Sequence, residues 1–212
     1  MAPALIVIFV LSCLPELTIQ AAEWGLWSPD VPRFRQFVYQ YGAFWPGLLR
    51  DWRPNYAGQP ELMFLTYGFL HAGLWHLALN MMTLFSLGTV LVERLGQRRF
   101  LLIYCLSILG GAAGYALLSA GVQPMVGASG ALFGLAAGVI GCDTNDRIAR
   151  GEPLSSLLVR LGQAAAALIL LNVLMYWTMG GRLAWQTHLG GFAAGWLAIA
   201  LLDRGESPRT GS

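Results

Sequence analysis

Ser129 stands between two glycines in Gly127-Ala128-Ser129-Gly130-Ala131-Leu132-Phe133-Gly134, inside a long apolar tract. Pro124, in Gly121-Val122-Gln123-Pro124, marks a turn just before it. Ala131 to Cys142 carries no charge and no proline, so the serine falls at the start of a buried helix. Two roles fit that place. A serine at a helix N-terminus caps it. The same helix end offers free N–H groups and a positive dipole end, which would stabilise an oxyanion beside a nucleophile. The motif alone leaves both open.

The chain has three histidines, His71, His76 and His188, all at or within apolar segments. Ionisable groups there are costly and mark function by default. His188 opens the last apolar segment, Thr187-His188-Leu189-Gly190-Gly191-Phe192-Ala193-Ala194-Gly195. Gly191 and Gly195 follow at i+3 and i+7 and share its helix face. Gly130 and Gly134 repeat the pattern after Ser129. Each Gly-xxx-Gly face by itself signals close packing. Packed on one another, the two would bring Ser129 and His188 within about 3 Å, close enough for a base to take a proton from an alcohol. His76 and Asn80 are spaced i, i+4 on one face. Isolated, such a pair is interhelical glue. Beside a nucleophile it supplies side-chain donors for an oxyanion, with the Ser129 N–H as a third. His71, at its segment's edge, reads as structural. No Asp or Glu lies in the inner part of the later apolar segments, so the inventory permits a Ser-His dyad, not a Ser-His-Asp triad. With no His, Cys or carboxylate cluster, neither a metal site nor a cofactor is expected.

These residues need a scaffold that keeps them in lipid. Of 212 residues, 56% are hydrophobic and 11% charged, against about 25% charged in soluble domains. Mean hydropathy is +0.57. All basic residues are Arg and the net charge is only +2, so no nucleic-acid partner is expected. The three cysteines lie in apolar segments with no CxxC and read as small buried hydrophobes. A spanning helix needs about 20 apolar residues. Six candidates follow: 3–21, 74–92, 100–120, 129–145, 156–178 and 187–203. The fourth and sixth are short and Gly/Ala-rich, suited to a central, close-packed position. The expected fold is an all-α polytopic membrane bundle. Its parts are a first transmembrane helix (1–22), a long aromatic segment (23–62), a core (63–203) and a disordered cytoplasmic tail (204–212). A signal peptide would begin with Lys or Arg, and none precedes Arg33, so the first segment reads as a helix that spans.

The aromatic segment, with Arg33 and Arg35 among Phe and Tyr, reads equally as an interfacial helix or as a loop folded on itself. Arg94, Arg98, Arg99, Arg147, Arg150, Arg204 and Arg209 bias one side, which places both termini in the cytoplasm.

At this point the residues resemble the rhomboid family of intramembrane serine proteases. The matching pieces run in family order: His71-Ala72-Gly73-Leu74-Trp75-His76-Leu77-Ala78-Leu79-Asn80, then Gly127-Ala128-Ser129-Gly130, then His188-Leu189-Gly190-Gly191 with Gly195. The resemblance covers roughly Glu61 to Asp203. It implies a six-helix rhomboid-like bundle, with Ser129 as nucleophile and His188 as general base. His76, Asn80 and the Ser129 amide would hold the oxyanion. Phe133 would support the histidine, where many relatives have Tyr. The Trp-Arg pair usual before the second helix is replaced by Leu62-Met63, with Trp52-Arg53 upstream. That puts the usual anchoring of the first loop in question.

The implied substrates are single-span or multi-span membrane proteins, cleaved in spanning helices. The implied setting is the lipid bilayer of a bacterial inner membrane, with the site open to the periplasm. The fifth helix and Met179-Gly180-Gly181 would be the gate and cap. Alternatives are a relative that trims C-terminal sorting tails, a non-catalytic binder of membrane helices, and a small transporter. The transporter's inverted repeat is not evident.

Overall fold

The structure, a computed structural model, describes residues 2–26, 33–178 and 180–203. The proposed tail at 204–212 and the connector residue Met179 lie outside them. The architecture is all-helical. Six long helices are present: α1 (Pro3–Glu23), α4 (Leu74–Leu95), α5 (Gln97–Leu118), α6 (Ser129–Ala149), α7 (Leu154–Thr178) and α8 (Trp185–Leu202). Two short ones, α2 (Phe34–Gly42) and α3 (Gln59–Thr66), lie between α1 and α4.

Helices α1, α4, α5 and α7 are long and apolar enough to cross a membrane. The glycine-rich α6 and α8 form the interior, and α8, with 18 residues, is the shortest of the six. Helix α6 runs to Ala149, four residues beyond the expected end at 145. Its last turns are charged and clasped. Arg94 of α4 donates two hydrogen bonds to Asp146, both 2.7 Å, and one to Asp203 at 2.9 Å. Asn145 donates to the Asp203 carbonyl at 2.9 Å. The clasp joins the ends of α4, α6 and α8 farthest from Ser129.

Without a hydrophobic force between helices in lipid, close backbone approach must hold the centre. Two glycine seams on α8 supply it. A Cβ on Gly191 would collide with the Gly130 carbonyl, and one on Gly195 with the Gly134 backbone. On the other side, a Cβ on Gly114 of α5 would sit 2.6 Å from the Gln186 carbonyl, and one on Gly110 2.7 Å from the Gly190 carbonyl.

The aromatic segment is folded on itself and docked on the bundle. Within it lie α2, a 3-10 turn at Pro46–Leu49 and the first half of α3. Gln59 is fully buried, donates to the Gln40 carbonyl at 2.7 Å and accepts from the Asn55 N–H at 2.7 Å. Trp52 lies so close over Gly47 that a Cβ there would enter the indole ring, and it packs on Trp45 with centroids 5.8 Å apart. Met63 is fully buried and Leu62 half exposed, so neither replaces a Trp-Arg anchor by chemistry.

The anchor is elsewhere. Arg35 turns inward, donating to both oxygens of the fully buried Glu16 of α1 at 2.7 and 2.9 Å. It also pairs with Glu23 at 2.8 Å and donates to the His71 carbonyl at 2.9 Å. Glu16 in a spanning helix requires this partner, because an unpaired buried carboxylate is strongly penalised. Arg35→Leu should therefore lower stability in detergent by about 3 kcal/mol, and the Glu16→Leu/Arg35→Leu pair should recover most of it. Thermal unfolding of the three proteins checks this. Equal melting of wild type and Arg35→Leu would remove the anchor.

Candidate active site

Ser129 is the first residue of α6, and the cap position before it is Ala128, with no side-chain cap hydrogen bond. The serine is therefore not a cap. Its Oγ lies 2.9 Å from His188 Nε2. The seam that brings them together is tight around both. A Cβ on Gly130 would lie 2.5 Å from Thr187 Cγ2 and 3.3 Å from the Thr187 carbonyl. The first four N–H groups of a helix have no intrahelical acceptor, so the Ser129 amide gives up no helix bond in meeting a ligand.

Phe133, one turn along α6, stacks on the His188 ring with centroids 4.1 Å apart and planes at 5°. On the far edge of that ring, His188 Nδ1 lies 2.6 Å from Asn172 Oδ1 of α7. His76 meets Gly127: a Cβ there would lie 2.7 Å from His76 Cε1 and 3.0 Å from Nε2. Gly127 also has φ +128, which an L side chain rarely adopts. The Ala72 N–H donates to His76 Nδ1 at 3.3 Å, which puts the ring hydrogen on Nε2. Asn80 sits one turn deeper on the same face of α4, buried, and its Nδ2 has no partner among the described residues. His71 stacks edge-on against His76 at 5.3 Å and is fully buried.

The loop before Ser129 is held by backbone. Phe44 and Met125 exchange both N–H···O bonds at 3.0 Å. The Gly127 N–H donates to the Tyr67 carbonyl at 3.0 Å, and the Tyr67 hydroxyl donates to the Ile108 carbonyl at 2.7 Å. A cavity of about 640 Å³ opens over the site, lined among others by His76, Ser129, Gln186 and His188. Its wall mixes hydroxyl, amide and imidazole groups with apolar ones, so it can hold both a peptide segment and water.

Comparison with known proteins identifies the family. The family model described as "Rhomboid domain" matches residues 59–204. The chain belongs to the rhomboid family. Rhomboid protein 1, mitochondrial, of Saccharomyces cerevisiae is 34% identical over 131 residues, 59% of this chain and 34% of that protein. Rhomboid protease GluP of Bacillus subtilis is 30% identical over 138 residues, 65% of this chain and 25% of that protein. Rhomboid-like protease 3 of Toxoplasma gondii is 34% identical over 137 residues, 60% of this chain and 46% of that protein. The chain thus spans less than half the length of each of these relatives. As a rhomboid with apolar spanning helices, it is an integral membrane protein.

Of the residues singled out in the sequence, this rhomboid brings together Ser129, His188, His76, Phe133, Gly127, Gly130, Gly191 and Gly195, with Asn80 one turn deeper. Sequence reasoning missed Asn172, Tyr67, the inward turn of Arg35 and the α5 seam. Asn172 had a signal: it is the one polar side chain between Ala164 and Met175. Gly110 and Gly114 had one too, the same spacing as the seams already recognised.

Widening the α6–α8 seam should undo the site. Gly191→Leu should lower the melting temperature of the purified protein by several degrees, because the side chain must displace the Gly130 carbonyl. Gly162→Ala, on a helix face with open space, should leave it unchanged. Equal melting of Gly191→Leu and wild type would contradict the seam.

Proposed function

We propose that this rhomboid is an intramembrane serine endopeptidase working through a Ser129-His188 dyad. The observation that carries the reading is the 2.9 Å contact between Ser129 Oγ and His188 Nε2, both lining a cavity of mixed polar and apolar wall within an apolar bundle. Ser129 Oγ attacks the scissile carbonyl while its proton passes to Nε2. The tetrahedral oxyanion is held by the Ser129 N–H, His76 Nε2–H and the Asn80 amide. A buried donor without an acceptor costs about 1–3 kcal/mol, so an unpaired Asn80 Nδ2 is sensible where an acceptor arrives with substrate. His188 then gives its proton to the leaving amine. Water entering through the cavity hydrolyses the acyl-enzyme, using His188 again as base. Phe133 presents its face to His188 and attracts the imidazolium formed in each step.

The substrates are single-span or multi-span membrane proteins. A lipid-buried helix hides its peptide bonds, so a substrate helix must unwind locally before Ser129 can reach one. Entry is by way of α7, whose described side chains are all at least partly exposed except Leu157. The Gly180–Gly181 connection, with φ of +59 and +78, serves as the hinge that follows. We place it in a bacterial inner membrane; the Arg bias supports the orientation there, with both termini in the cytoplasm and the cavity facing the periplasm.

Purified full-length protein should cleave a model single-span substrate. Ser129→Ala and His188→Ala should abolish cleavage, and His76→Ala and Asn80→Ala should each lower kcat by about 10²-fold. Gel-resolved product formation checks this, and a Ser129→Ala protein that cleaves at the wild-type rate refutes it.

A further inference from the structure

Helix α7 is lightly buried among the described residues, yet it makes a polar contact to the histidine of the dyad. Asn172 Nδ2 donates to the Leu168 carbonyl at 3.0 Å. That bond fixes which way the amide faces, so Oδ1 is the atom 2.6 Å from His188 Nδ1. An amide oxygen only accepts. His188 therefore carries its hydrogen on Nδ1, and the Nε2 lone pair is left facing the Ser129 hydroxyl. This is the tautomer a general base needs, and it is set by a third group from another helix.

We propose that Asn172 is the positioning residue for His188: from α7 it orients the base of the Ser129-His188 dyad without taking a proton itself. The inference rests on the serine-protease reading above. Its support is geometric. Phe133 fixes the plane of the imidazole by stacking, but stacking leaves free which nitrogen is protonated and how far the ring turns within that plane. Asn172 supplies both missing constraints. The rest of α7 gives no reason for an amide there. A groove of about 530 Å³ separates much of α7 from α8, lined by apolar and aromatic groups such as Leu168, Trp185 and Phe192. An asparagine facing that groove is costly unless bonded. One consequence follows from the placement: displacing α7 to admit a helix removes the acceptor from Nδ1, so the base is aligned only while α7 is seated.

The test is cleavage of a single-span substrate by the full-length protein, measured as kcat and KM across the pH range in which histidine titrates. The titratable and charged groups lining the two cavities beside the His188 ring are His76 from α4, Tyr39 from α2, Tyr115 from α5, Arg182 from the α7–α8 connection and Tyr176 from α7, all unchanged in the variants. Asn172→Leu removes the acceptor at similar volume. It should lower kcat about 100-fold with KM and melting temperature unchanged. Asn172→Asp keeps an acceptor and adds a negative charge that favours imidazolium. It should recover most of kcat and move the acid limb of kcat/KM to higher pH.

An Asn172→Leu protein with wild-type kcat overturns the inference. So does an Asn172→Asp protein whose acid limb coincides with that of wild type, and this comparison decides the matter should Asn172→Leu not fold. Ser129→Ala is run alongside. If it cleaves, the protease reading itself fails. If it is inactive while Asn172→Leu is fully active, only the role of Asn172 falls.

Discussion

Along α8, backbone lies directly on backbone. Gly191 and Gly195 touch the α6 main chain at Gly130 and Gly134, and Gly190 lies against Gly110 and Gly114 of α5. A single methyl at these points would collide with carbonyl or α-carbon atoms of the neighbour. In lipid, where apolar side chains gain nothing by leaving solvent, this contact is what specifies the pairing. It also sets the chemistry. Ser129 and His188 are the residues just before the two seams, so the distance between their functional atoms is inherited from the distance between helix axes.

The two ends of the seam are secured by different means. At the site end, the Phe44–Met125 bridge and the Tyr67–Gly127 bond hold the chain entering α6 through main-chain atoms. At the opposite end, Arg94 gathers Asp146 and Asp203. Helices α4, α5, α6 and α8 therefore form a braced body, and α1 is tied to it through the buried Glu16 and Arg35. Helix α7 lacks such bracing: Leu157 is its one buried side chain among those described. Rigid support under His188 and Ser129 keeps the two within reach while the lightly held helix alongside yields to a large apolar partner, and the imidazole regains its Asn172 acceptor when that helix reseats.

Much of this was legible in residue spacing. Glycines at i and i+4 after a serine and after a histidine told both which faces pack and which groups meet. The choice between cap and nucleophile was not legible, because it depends on where the first helical residue falls; Ala128 takes the cap position. The anchoring of the aromatic segment was hidden for another reason. Arg35 and Glu16 are distant in sequence, and nothing local distinguishes Arg35 from Arg33 as the one that turns inward. The Phe44–Met125 bridge uses only main-chain atoms, which every residue offers alike. Asn172 was visible as a lone amide in an apolar run, but its partner on α8 depends on how α7 leans, which no spacing records.

The central claim is that Ser129 Oγ is a nucleophile activated by His188. Its most direct measurement is reaction of the purified protein with a fluorophosphonate, followed by peptide mass spectrometry. The account predicts one adduct, on Ser129, that is lost when His188 is replaced by Ala. A protein that cleaves substrate yet carries no adduct on Ser129, or carries it undiminished without His188, would contradict it.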